Sequence, residues 1–203
     1  MRRFVCLLLC CVWTGILPSN AIAQPDWVKK AVEEAEPLTY SDEASIVVLR
    51  DLADARVESD GRIRIKRRKV YRILTQAGTG YGTLSESVSP YREIKKLKGW
   101  TITTEGHTRK LSDKNIGQIS QSSQPGYYDD AFRLVARLTD ISPGAIAAFE
   151  YEIEETKSIG LFQTFYFQFQ QPVLLSRFSI ELPKGWALHK ESSGSDVISY
   201  DVT

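Results

Sequence analysis

The chain has 203 residues, 42% of them hydrophobic and 25% charged, with a formal net charge of +1. That balance is ordinary for a globular protein and excludes a disordered, collagen-like or multi-span membrane chain. It also argues against a nucleic-acid partner, which calls for a strongly basic surface.

Residues 1–23 read as a signal peptide. Arg2 and Arg3 form a short positive region, Phe4 to Leu17 an apolar stretch, and Ala21-Ile22-Ala23 a small-residue cleavage site before Gln24. The apolar run is shorter than the ~20 residues of a spanning helix, so no stable membrane span is expected after cleavage. Cys6, Cys10 and Cys11 leave with the signal, as do two arginines, so the mature chain keeps 24 basic against 25 acidic residues. A mature chain without thiols has neither disulfide nor cysteine nucleophile. The expected location is periplasmic or extracellular.

Residues 24–43 read as an N-terminal helix and linker. Pro25 and Asp26 open a helix, Pro37 stops it, and Trp27, Val28, Ala31, Val32 and Ala35 recur at helical spacing. From Ser45 the period becomes two. Ile46 to Leu49 and Ala53 to Glu58 are strand-like, and Asp60-Gly61 marks a hairpin turn. Arg62 to Thr75 is the longest strand candidate. Ile63, Ile65, Tyr71 and Ile73 share one face; Arg62, Arg64, Lys66, Arg68 and Arg72 share the other. Arg67 and Lys69 have the parity of the apolar face, which predicts a bulge in mid-strand or a stretch beyond the core.

Further strands are expected at 82–89, 94–104 and 131–138, with a turn at Glu105-Gly106. After a turn at Pro143-Gly144, residues 145–155 alternate cleanly. Ala145, Ala147, Phe149, Tyr151 and Ile153 lie on one side, Glu150, Glu152 and Glu154 on the other. Residues 161–169 carry five aromatics on both faces and read as a strand buried on both sides. Strands at 173–182, 186–190 and 197–202 complete the set, with long loops at 112–130 and 184–196. Trp100 and Trp186 are expected in the core. Nine or ten strands with short turns imply an all-β fold, an antiparallel two-sheet sandwich with one short N-terminal helix. The domain spans 44–203. A strand pattern is still running at Thr203, so the expectation is an incomplete domain or a further C-terminal one.

The chemistry is mostly one of exclusions. The mature chain has no cysteine, no G-x-S-x-G elbow and no phosphate-binding glycine motif. His107 and His189 are far apart in sequence, too few for zinc, and each reads as a solvated histidine. No cofactor or metal is expected, and the chain reads as a non-enzyme. Two surfaces remain. The basic face Arg62, Arg64, Lys66, Arg68 reads as solvated or as paired across strands with Glu150, Glu152 and Glu154. The polar loop around Tyr127, Tyr128, Asp129 and Asp130 reads either as aromatic plugs for the core or as a surface that could bind a cell-envelope glycan or peptide.

Four segments, in order, carry a family resemblance: SIVVLRDLADARVESDGRIRIKRRKVYRIL, GWTITTEGHTRKLSDKNI, YYDDAFRLVARLTDISPGAIAAFEYEIEE and FQFQQPVLLSRFSIELPKGW. Their order behind a signal peptide resembles a domain of unknown function that precedes a transglutaminase-like core in exported bacterial proteins. The resemblance implies a β-sandwich, an exported location and a papain-like Cys-His-Asp domain downstream. It supplies no catalytic residue within this chain. The resulting expectation is a non-catalytic module that packs against, or presents substrate to, such a domain. The alternative is a self-contained binding module for an envelope polymer.

Overall fold

The computed structural model describes residues 23–36, 39–40, 43–120, 132–156, 163–167, 169–191 and 193. The signal segment, the Tyr127–Asp130 loop and the expected strand at 197–202 lie outside the described residues.

The helix forms where its signals place it, as α1 (Asp26–Ala35), with Asp26 in the first turn. Strand β1 (Ile46–Val57) joins the two pieces expected separately. Strand β2 (Ile63–Ile73) pairs with it antiparallel through the Asp60-Gly61 turn, where Gly61 takes φ +84°. The rest are β3 (Thr83–Val88), β4 (Arg92–Ile102), β5 (Thr108–Lys110), β6 (Ile116–Ser120), β7 (Phe132–Arg137), β8 (Ile146–Glu155) and β9 (Ser176–Glu181). A 3₁₀ segment at Gln76–Gly82 links β2 to β3.

These strands make two sheets. The larger has the order β5-β4-β8-β2-β1-β9, the smaller β3-β7-β6. The all-β two-sheet sandwich with a short N-terminal helix is therefore the fold. Between the sheets lie Ala53, Ala55, Ile63, Ile65, Phe149, Tyr151 and Ile153 from the large sheet, and Leu84 and Ala136 from the small one. Helix α1 covers part of the outer face of the large sheet. Its Val28, Ala31 and Ala35 pack with Val47, Leu49, Val70, Trp100, Ile146 and Ala148, so it does more than close an edge. The layers are helix, large sheet, small sheet.

Several expectations are corrected. One pair is not antiparallel: β9 runs parallel to β1. The chain reaches β9 from β8 through residues 156–175, and a crossover of that length is what a parallel pairing needs. The bulge is not in β2 but opposite it, in β1, where the register shifts between Val48 and Arg50. Val47 and Leu49 both pack on the helix side, and after the shift the odd-numbered Ala53, Ala55 and Val57 lie between the sheets instead. The expected loop 112–130 contains β6, and Thr108–Lys110 adds a short hairpin strand. Residues 163–167 and 169 form no strand, and Tyr166 is 73% exposed. The place beside β1 that such a strand would fill is taken by β9. Residues 186–190 are likewise irregular, and Trp186 is 43% exposed, unlike buried Trp100. Phe178, Ile180 and Leu182 face the inter-sheet core as expected, but Leu174 packs on the helix side.

Candidate functional site

The unusual chemistry lies on the inner face. Since β2 pairs without interruption with β8, its parity holds through residues 63–72. Arg67 and Lys69 therefore point between the sheets with Ile65 and Tyr71. Across the ladders their neighbours are Tyr151 and Phe149 on β8 and Ala53 and Asp51 on β1. Asp51 is 3% exposed, and Arg67 Nη2 donates to its Oδ1 at 2.9 Å.

The small sheet contributes Glu86 from β3. The Tyr151 hydroxyl donates to its Oε1 at 2.5 Å, Arg92 Nη2 donates to its Oε2 at 3.3 Å, and Lys69 Nζ stands 3.9 Å from its Oε1. Arg92 Nε in turn donates to Glu155 at 3.1 Å, and Gln163 donates to the other oxygen of that carboxylate at 2.8 Å. The Arg67 guanidinium lies 5.1 Å from the centroid of Phe165, a cation–π arrangement. Glu86 is thus shared by one hydroxyl and two cations, all from the large sheet.

The electrostatics follow from burial. Desolvation alone would raise the Glu86 pKa, but Lys69, the Tyr151 hydroxyl, Arg92 and Arg67 outweigh it and hold Glu86 below the ordinary carboxylate value. Desolvation, with repulsion from Arg67, pulls Lys69 down. Desolvation and the Glu86 charge push the Tyr151 phenol well up, and burial does the same to Tyr71. Arg67 Nε and Ser176 Oγ are buried without a hydrogen-bond partner among the described residues.

The outer face of the same two strands carries the basic residues read from the sequence as solvated or paired. Arg64 stands opposite Glu154, Lys66 opposite Glu152 and Arg68 opposite Glu150. Arg64 and Arg68 donate to those partners at 3.2 and 2.7 Å, while Lys66 swings to Glu150 at 3.3 Å and Lys96 takes Glu152 at 2.9 Å. Arg62 leaves the ladder for Asp60 at 2.7 Å. Cross-strand pairing is therefore the role of this basic face, and Arg68 also lies over the Trp27 ring of α1 at 5.4 Å.

The other nominated residues do not converge. Tyr127, Tyr128, Asp129 and Asp130 fall outside the described residues. His107 follows the Gly106 turn and is exposed. His189 is exposed and contacts Glu191 at 3.3 Å. Among the described residues no group of three or more His, Cys, Asp or Glu could hold a metal ion. Sequence reasoning noted Arg67 and Lys69 but not their partners. The signal was available in Asp51, which also carries a charge inside a run of otherwise buried strand residues.

A family model described as a domain of unknown function with solved structure, DUF3857, matches residues 59–200. The chain belongs to the DUF3857 family. The match covers β2 to β9 and leaves β1 and α1 outside it, although β1 supplies Asp51 to the inner network. No curated protein matches. Among solved structures, the DUF3857 chain resembles the crystal structure of a "putative protease" from Parabacteroides distasonis, with a TM-score of 0.60 and 17% identity. That likeness covers 70% of this chain but only 29% of the other, so the fold occurs there as one part of a longer polypeptide. A likeness to a CBM3a-L domain of the Clostridium thermocellum scaffoldin cipA, at 13% identity over 58% of this chain and 71% of that one, has a TM-score of 0.31 and carries no argument.

Proposed function

We propose that this DUF3857 domain is an exported, non-catalytic module that packs against, or presents substrate to, a transglutaminase- or protease-like domain of papain type. The observation that carries the reading is the match to under a third of a longer chain described as a "putative protease". There a similar fold makes up one part of a longer chain. Two features agree. The segment order resembles domains that precede a transglutaminase-like core. The inner polar groups, moreover, are mostly committed to one another, which suits a rigid support better than a reacting centre.

Three measurements test this. Reading the genomic frame on past the Thr203 codon is expected to give a domain with a Cys followed by His and Asp. A stop codon, or a downstream domain without that trio, contradicts it. The purified chain is expected to show no turnover of amide or ester substrates, and turnover would overturn its non-catalytic character. N-terminal sequencing of the envelope fraction is expected to start at Gln24; an intact Met1 terminus in the cytosol contradicts export.

A further inference from the structure

One charge of the inner network is poorly supplied. The Lys69 side chain is 19% exposed, and its ammonium has a single ion pair among the described residues, to Glu86 at 3.9 Å. That is longer than a hydrogen bond. The same Glu86 oxygen already accepts from Tyr151, its other oxygen faces Arg92, and Asp51 is engaged by Arg67. An ammonium carries three donors, and those of Lys69 not turned to Glu86 face the solvent of the open pocket beside it.

Beside Lys69 lies an open pocket of about 320 Å³, lined by Lys69, Tyr71, Gly80, Tyr81, Leu84 and Phe149. Its size is at the small end of ligand sites, and aromatic rings with a few polar groups, here Lys69, Thr83 and Ser85, are their usual pattern. The Tyr71 and Tyr81 rings stand 5.2 Å apart between centroids. Tyr81 is 39% exposed, and a Cβ placed on Gly80 would meet nothing within 4 Å. The pocket therefore opens to solvent at the 3₁₀ segment.

We propose that this pocket binds a small monocarboxylate on a short aromatic stem, with the carboxylate on Lys69 Nζ and the stem between Tyr71, Tyr81 and Phe149. The carboxylate replaces pocket solvent at the ammonium with a charge-assisted hydrogen bond. Glu86 next to the ammonium disfavours a dianion such as a phosphate. The burial that lowers the Lys69 pKa also strengthens a pairing formed there. The ligand is a free carboxylic acid or the C-terminal residue of a peptide. The inference is independent of any association with a catalytic domain.

The test is titration of the isotope-labelled chain, followed by amide NMR signals. The probes are phenylacetate and a short peptide ending in phenylalanine, with phenylacetamide and the C-amidated peptide as controls. Both carboxylates, or phenylacetate alone, are expected to shift the amides of Lys69, Tyr71, Leu84 and Phe149, and the amide controls are not. The peptide's behaviour tells the two sources apart. Lys69→Met is expected to weaken binding at least about tenfold, the loss of one hydrogen bond to a charged group. Gly80→Phe keeps the ammonium but blocks the mouth, and is expected to abolish binding; it decides alone if Lys69→Met fails to fold. Absence of shifts with both carboxylates, equal binding of the amides, or unchanged affinity in Gly80→Phe overturns the proposal.

Discussion

Strands β2 and β8 present two charged faces, and the faces behave differently. Outside, Arg64, Lys66 and Arg68 meet Glu150 and Glu154 along a ladder that is largely open to water, with Arg64 47% and Lys66 40% exposed in the side chain. Inside, Arg67 and Lys69 meet Asp51 and Glu86, with side chains between 4% and 19% exposed. The same residue types, one position apart, are an inexpensive surface pattern on one side and an interdependent buried unit on the other. Desolvation makes the difference. An exposed pair contributes little either way, whereas a buried charge that loses its partner is left uncompensated.

That contrast can be broken experimentally, and the inner face should give the largest effect. Asp51→Ala strands Arg67 and is expected to destabilise the chain by about 3–5 kcal/mol in urea unfolding. The double variant with Arg67→Met should recover most of that loss, since an apolar pair can replace a buried ionic one. Additive losses in the double variant would mean that the two side chains act separately. Next comes Tyr151→Phe, which removes the hydroxyl from Glu86 and is expected to cost about 1.5–3 kcal/mol, typical of a hydrogen bond to a charged group. The outer ladder should respond least. Arg64→Met is expected to cost no more than about 1 kcal/mol, and less at high salt.

Acid sharpens the same comparison. Glu86 has a folded-state pKa below the ordinary carboxylate value, so it binds a proton less readily folded than unfolded. Its stabilising contribution is fully present above the unfolded pKa and is lost as pH falls through the lowered folded value. Glu150 on the outer face is shifted the same way: burial pulls it up, and Arg68 and Lys66 overcome that. Stability should therefore decline with acid below about pH 4.5. Glu86→Gln and Glu150→Gln should each flatten part of that decline in a pH series of unfolding curves. An unchanged slope in both would contradict the assignment.

Much of this was legible in the sequence. Clean alternation at 145–155 fixed the faces of β8, and Asp60-Gly61 fixed the hairpin that sets its partner's register. These gave the basic and acidic faces and left solvation and cross-strand pairing open; the Arg64–Glu154 and Arg68–Glu150 pairs needed the β2–β8 register, which no turn in the sequence sets. The inner network was only half visible. Arg67 and Lys69 broke the apolar pattern, and a bulge would have carried them outward. The bulge lies in β1 instead, and by switching parity after Leu49 it brings Asp51 inside with the two cations. Residues 163–169 misled for a related reason. Aromatics on both parities define no face, and Phe165 reaches the core from an irregular segment while Tyr166 stays in water.

Across the sandwich, Glu86 is, among the described residues, an ionic tie from the small sheet to the large one, and native-state hydrogen exchange of Glu86→Gln tests that most directly. The account predicts that amides of β3, β6 and β7 lose protection selectively, while those of β1, β2 and β8 keep theirs. Unchanged protection in the small sheet, or an equal loss in both sheets, would contradict it.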